Sequence, residues 1–110
     1  MNETYSSLVA PPWPNNVGKT RHFNSIDGKP IEFTIVDEIL RPEKDFPQKL
    51  ICFQRVDMQP GGMGLRLGYY IVGWKGSRRG KWVWGQYATF LDPHDLASIM
   101  KEAESRGWFE

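Results

Sequence analysis

The chain has 110 residues, 40% apolar and 25% charged, with a formal net charge of +1, a composition that excludes a disordered or collagen-like chain. Surface scaling for folded monomers gives about 6,200 Å² against roughly 18,000 Å² unfolded, so about two thirds is buried, in one domain. The single cysteine, Cys52, rules out an internal disulfide, and no stretch approaches the roughly 20 apolar residues of a membrane-spanning helix.

Met1 to Ala10 lack the basic and apolar regions of a secretory signal, so a cytoplasmic location is expected. Residues 1–19 hold Pro11-Pro12-Trp13-Pro14 and show neither helical nor strand periodicity, which predicts an extended arm ahead of a single α+β domain over 20–110. With no second PxxP element, the arm reads as a terminus with Trp13 tucked against the body and not as a ligand for a partner domain.

Two β-rich runs, 20–26 and 31–40, are joined by Asp27-Gly28-Lys29-Pro30, and Asp-Gly supplies the positive φ of a tight hairpin. In the second run Ile31, Phe33 and Ile35 fall on one face and Glu32, Thr34 and Glu38 on the other, the alternation of a sheet wetted on one side. Residues 41–48, with Pro42, Pro47 and several charges, read as a loop. A third strand over 49–58 puts Leu50, Cys52, Val56 and Met58 on one face and Ile51 and Phe53 on the other. The Gly-rich stretch from Gln59 to Gly64 ends it.

The runs 65–74 and 82–91 flank Lys75-Gly76-Ser77-Arg78-Arg79-Gly80-Lys81. A symmetric hairpin sets Trp74 opposite Trp82, with Trp74, Trp82, Val72, Trp84, Tyr70, Ala88 and Phe90 on one face. Ile71, Val83, Tyr69, Tyr87, Leu67, Leu65 and Leu91 then share the other. Asp92 as N-cap, Pro93 in the first turn, the spacing of Leu96, Ile99, Met100 and Ala103, and the stop at Gly107 predict a helix over 93–106. The expected fold is α+β: a single-domain antiparallel β-meander of about five strands with one C-terminal helix packed on one face. The expected core is Phe33, Ile35, Ile51, Phe53, Leu67, Tyr69, Ile71, Val83, Leu96, Ile99 and Met100.

Little in the inventory points to catalysis. His94 sits at a helix N-terminus whose aspartates serve as caps, His22 lies in the first strand, and Cys52 lies mid-strand among Ile51 and Phe53 as a buried thiol. No metal-ligand spacing occurs, and no cofactor is expected. The glycines from Gly61 to Gly68 miss the GxGxxG register and precede a strand, so they read as a turn and not a phosphate loop.

Charge is unevenly placed. No acidic residue lies between Asp57 and Asp92, a span that holds Arg66, Lys75, Arg78, Arg79 and Lys81, and all but Arg66 crowd the hairpin tip. These cations beside Trp74, Trp82, Trp84 and Tyr70 pair the two features of single-strand nucleic-acid binders, phosphate contacts and stacking faces. A solvated turn that discourages edge pairing, with its aromatics in the core, explains the same residues without a ligand. Apolar side chains on both hairpin faces nevertheless call for a cover on the side away from the helix: the arm, a second copy in a homodimer, or a ligand. Gly73 and Gly85, opposite Val83 and Ile71, leave hollows that place the helix on the Ile71 face. The expected function is a small non-catalytic binding module contacting single-stranded nucleic acid. The alternative is a structural or protein-interaction domain, a homodimer or partner-binding unit joined through the aromatic sheet face.

Overall fold

The computed structural model describes Tyr5, residues 8–85 and residues 88–110. Strand β1 (Thr20–Asn24) reverses through Gly28, at φ 83°, into β2 (Pro30–Glu43). Strands β3 (Phe46–Gln59), β4 (Gly62–Val72) and β5 (Trp82–Trp84) follow, and helix α1 (Pro93–Ser105) closes the fold. Strand order in the sheet is chain order and every neighbour is antiparallel, so the α+β meander with a C-terminal helix is the fold. The accessible surface, 7565 Å², exceeds the scaling value because the sheet is open and the molecule extends 52 × 32 × 23 Å.

The expected loop over 41–48 is instead the end of one strand, a turn and the start of the next. Lys44 and Asp45 make the reversal, with Asp45 at φ 63°, a left-handed conformation that short polar side chains tolerate. Pro42 fits because β1 pairs only with Pro30–Thr34, leaving this part of β2 with one strand neighbour, the edge position where a missing N–H is harmless. The Gly-rich turn is likewise tighter than expected, since β3 runs through Gln59 and β4 starts at Gly62, ahead of the expected 65–74.

In the last hairpin Val72, not Trp74, lies opposite Trp82, and Tyr70 lies opposite Trp84. A short 3₁₀ turn over Gly76–Arg78 takes up the difference. It closes on Gly73, whose N–H donates to Lys81 O (2.8 Å) and whose missing side chain admits the Arg78 carbonyl. Because the slip is two residues, the period-2 face assignments survive it. Strand β5 stops at Trp84, short of 91, and Phe90 is exposed. The place expected for Tyr87 lies outside the described residues.

Helix α1 begins as read, with the Asp92 carboxylate accepting the His94 N–H at 2.8 Å and Pro93 in the first turn. Past Gly107, at φ 77°, the Trp108 N–H returns to Ala103 O at 3.0 Å, and the Trp108 ring is buried against Phe53. The helix covers Ile39, Ile51 and Phe53, with Tyr69, Leu91 and Met100 at the margin. Among the expected core residues, Leu67 is corrected: it is 45% exposed because it lies beyond the helix's reach. Ile71, Val83 and Leu96 are half-buried.

A second cluster on the opposite face joins Phe33, Ile35 and Val56, with Met58. The register shift between Ile35 and Asp37 changes the parity of β2, as an extra residue in one strand must. Glu38 therefore shares the face of Ile35, contrary to the alternation read from the sequence, and pairs with Gln54.

Candidate functional site

The face opposite the helix curls into a cleft of about 750 Å³ that draws on β1 (Arg21, Phe23) and on β5 (Trp82, Trp84), opposite edges of the sheet. Arg66 stands inside it. Its guanidinium carbon lies 3.8 Å from the Trp84 ring centroid and 4.9 Å from that of Phe33, and it donates to Gln54 Oε1 at 3.1 Å. The Trp84 ring is set by Gly68, over which it lies, and by the edge of Tyr70, 5.1 Å between centroids.

Beneath Arg66 runs a buried polar chain. Gln54, fully buried, donates Nε2 to Glu38 Oε1 at 2.9 Å while its own carbonyl takes the Arg66 bond, so a neutral amide spaces cation from carboxylate. The Cys52 thiol donates to the same Glu38 oxygen at 3.0 Å, and burial, then Glu38, pushes its pKa far up. Burial lowers the Arg66 pKa, yet a guanidinium stays charged. Among the described residues Arg66 has no carboxylate partner, and its remaining N–H donors face a cleft whose lining also includes Lys19, Arg21 and His22 but no Asp or Glu.

The arm supplies the cover sought for this face. Tyr5 donates its hydroxyl to Val72 O at 2.6 Å and stacks on Phe46, Pro12 O accepts from Trp82 Nε1 at 3.0 Å, and Gln48 Nε2 donates to Leu8 O at 2.8 Å. Asn16, buried, donates to the Tyr70 hydroxyl at 2.7 Å and accepts from Lys19 Nζ. Trp13 is not tucked in as expected but is 53% exposed, because the Tyr5 side chain, the backbone and the polar Asn16 do the docking.

Burial, followed by the neighbouring acidic groups Cys52 and Glu38, pushes the Tyr70 phenol up to about 12. A neutral phenol favoured in the fold contributes stability that is complete below the ordinary value near 10 and is lost as pH rises toward 12. Alkaline unfolding followed by circular dichroism should therefore steepen in that window, and less so in Tyr70→Phe. Equal profiles for the two proteins would contradict this assignment.

Of the residues singled out in the sequence, Arg66, Tyr70, Trp82 and Trp84 meet in the cleft, whereas Trp74, Lys75, Arg78, Arg79 and Lys81 lie in the hairpin tip that joins β4 to β5, outside the cleft lining. Trp74 carries the Arg79 guanidinium 5.1 Å above its ring and Tyr5 at 6.0 Å, so its ring already has neighbours. Lys19, Arg21, Phe33, Glu38 and Gln54 were not read as site residues, although Phe33 was expected in the core and Glu38 on a wetted strand face. Arg21 alone left a signal, since the first hairpin sets it directly across from Phe33. Among the described residues no three His, Cys, Asp or Glu side chains gather as metal ligands, and no helix is long and apolar enough to cross a membrane. No protein-family model, curated protein or solved structure matches the chain.

Proposed function

We propose that this domain is a non-catalytic binding module that takes single-stranded nucleic acid across its curled face. The observation that carries the reading is Arg66: a half-buried guanidinium without a carboxylate partner among the described residues, in an aromatic cleft with no acid in its lining. Phosphates sit at Arg66, Lys19 and Arg21 and run on toward Lys75, Arg78, Arg79 and Lys81. Bases stack against Trp82 and over the Arg66 guanidinium, as bases do on aromatic and arginine planes. A duplex lacks the unstacked bases that such walls engage.

The test is fluorescence anisotropy of a labelled oligonucleotide across a salt series. With about three to four of these seven cations on phosphates at once, the logarithmic salt slope is roughly two to three, at about 0.7 per contact. Arg66→Leu is expected to weaken binding at least ~10-fold and lower the slope by about 0.7, one contact's share. The Arg78→Glu, Arg79→Glu double variant lowers the slope further, while Trp82→Ala weakens binding by ~1–3 kcal/mol with the slope unchanged. Absence of binding at low salt, or equal affinity for Arg66→Leu and wild type, would end this reading.

A further inference from the structure

We infer that Asn16 makes the cleft selective for anions, because it holds Lys19 through a neutral amide and leaves the charge of that cation to the bound group. Arg66 is held in the same way. Asn16 Oδ1 accepts from Lys19 Nζ at 3.2 Å, and Gln54 Oε1 accepts from Arg66 at 3.1 Å. Among the described residues neither cation has a carboxylate partner. The nearby acid stands one step back: Glu38 Oε1 accepts from Gln54 Nε2 at 2.9 Å, and its Oε2 accepts from the Asn16 backbone N–H at 3.4 Å. One carboxylate thus anchors both carboxamide residues and is bonded to neither cation.

The two amides are required for different reasons. Gln54 is fully buried and donates to Glu38, so an acid in its place would oppose a second acid whatever the cleft bound. Asn16 is under no such demand, since Glu38 takes its backbone N–H while its side chain faces Tyr70 and Lys19. An aspartate there would keep the 2.7 Å contact with the Tyr70 hydroxyl by accepting the phenol proton. It would also pair with Lys19 in a charge-assisted bond, roughly twice as strong as a neutral one. Docking of the arm would therefore be served equally well by the acid, and what asparagine adds is a cation that is held without being neutralised. Lys19 lines the cleft together with Arg21 and Arg66, so an anion entering it meets all three. The inference rests on the cleft being the binding site, and it concerns the charge there whatever bases accompany the phosphates.

Two measurements on the full chain keep this apart from the reading it rests on. Inorganic pyrophosphate, an anion without bases, should raise the melting temperature of the wild type with increasing dose, as a ligand of the folded state alone must. The rise should vanish in Asn16→Asp. It should persist in Asn15→Asp, which adds the same charge one residue away, on an exposed side chain that already accepts the Val17 N–H. In the oligonucleotide salt series Asn16→Asp should bind ~10-fold more weakly with a slope lower by about 0.7, one phosphate contact's share. Asn16→Ala, which frees Lys19 without neutralising it, should keep the slope. Equal effects of Asn16→Asp and Asn15→Asp, an equal loss of slope in Asn16→Asp and Asn16→Ala, or no protection of the wild type by pyrophosphate overturns the inference. Protection that depends on Asn16 in a protein that binds no oligonucleotide would uphold it and end the nucleic-acid reading instead.

Discussion

Truncating Phe53 to alanine is expected to cost about 3–5 kcal/mol, the range for a buried aromatic whose site cannot collapse. Phe53 is 5% exposed and lies between β3 and the C-terminal segment, with the Trp108 ring 5.3 Å away and Ile99 and Ala103 fully buried in the same cluster. The sheet beneath is fixed by its ladders and cannot rise to fill the void. The helix is held from above by Trp108 and by the Arg106–Asp37 and Arg41–Glu102 ion pairs, so it cannot sink. A domain with a total stability of some 5–15 kcal/mol loses a large share of it. Urea unfolding should show the midpoint falling with the slope unchanged. Met58→Ala, at the margin of the smaller cluster on the other face, should cost visibly less. A loss below ~1 kcal/mol for Phe53→Ala would mean that the helix-side cluster is not the principal core.

The second large effect comes from adding a single methyl group. A Cβ at Gly68 would stand 2.2 Å from the edge of the Trp84 ring, and that ring is pinned between Arg66 and Tyr70. Since an indole cannot bend away as a flexible chain does, Gly68→Ala must move the whole stack, at ~1–3 kcal/mol for an overpacked site. Arg66 then loses the nearer of its two aromatic neighbours, so the variant should lose oligonucleotide affinity as well as stability and show altered tryptophan fluorescence. Gly64→Ala is the matched control on the same strand and face. Its Cβ would meet the Met58 sulfur at 3.0 Å, the end of a flexible thioether that can swing aside. Comparable losses for both variants would show that any side chain on this face of β4 is disruptive and that the Trp84 contact is not special.

What could be read from the sequence was what local chemistry decides. Asp27-Gly28 and Asp92-Pro93 specify their turn and cap through interactions spanning a few residues, and both occur where expected. Charges and prolines over 41–48 suggested a loop because β-propensity ignores whether a strand has one neighbour or two, and it is the single neighbour that admits Pro42. Trp74 was set opposite Trp82 by symmetry, but a Gly76–Arg78 turn closing onto Gly73 depends on a carbonyl approaching a bare α-carbon, which no periodicity reports. Leu67 follows the apolar alternation of its face and yet is exposed, although it lies directly across from the buried Phe53, because the helix-side cluster reaches β4 only at Tyr69. For the cleft, the acid-free run from 58 to 91 pointed to Arg66, Tyr70, Trp82 and Trp84. Lys19 and Arg21 join them only because the sheet curls, and Glu38 comes to hold Gln54 beneath Arg66 only because β2 carries a bulge.

Sheet order that follows chain order has a kinetic consequence. Each strand pairs with the one just before it, so the meander can zip from hairpin to hairpin with short loop closures, the arrangement that favours rapid folding. The arm breaks this rule. Tyr5 and Val72 are 67 positions apart, and Pro12 and Trp82 are separated by 70, so these two contacts cannot form until the last strands exist, although Leu8 and Tyr5 can already meet Gln48 and Phe46 of β3. The polar contacts of Asn16 and the wall around Trp82 therefore belong to the final stage of folding and are the first to be released when the molecule opens.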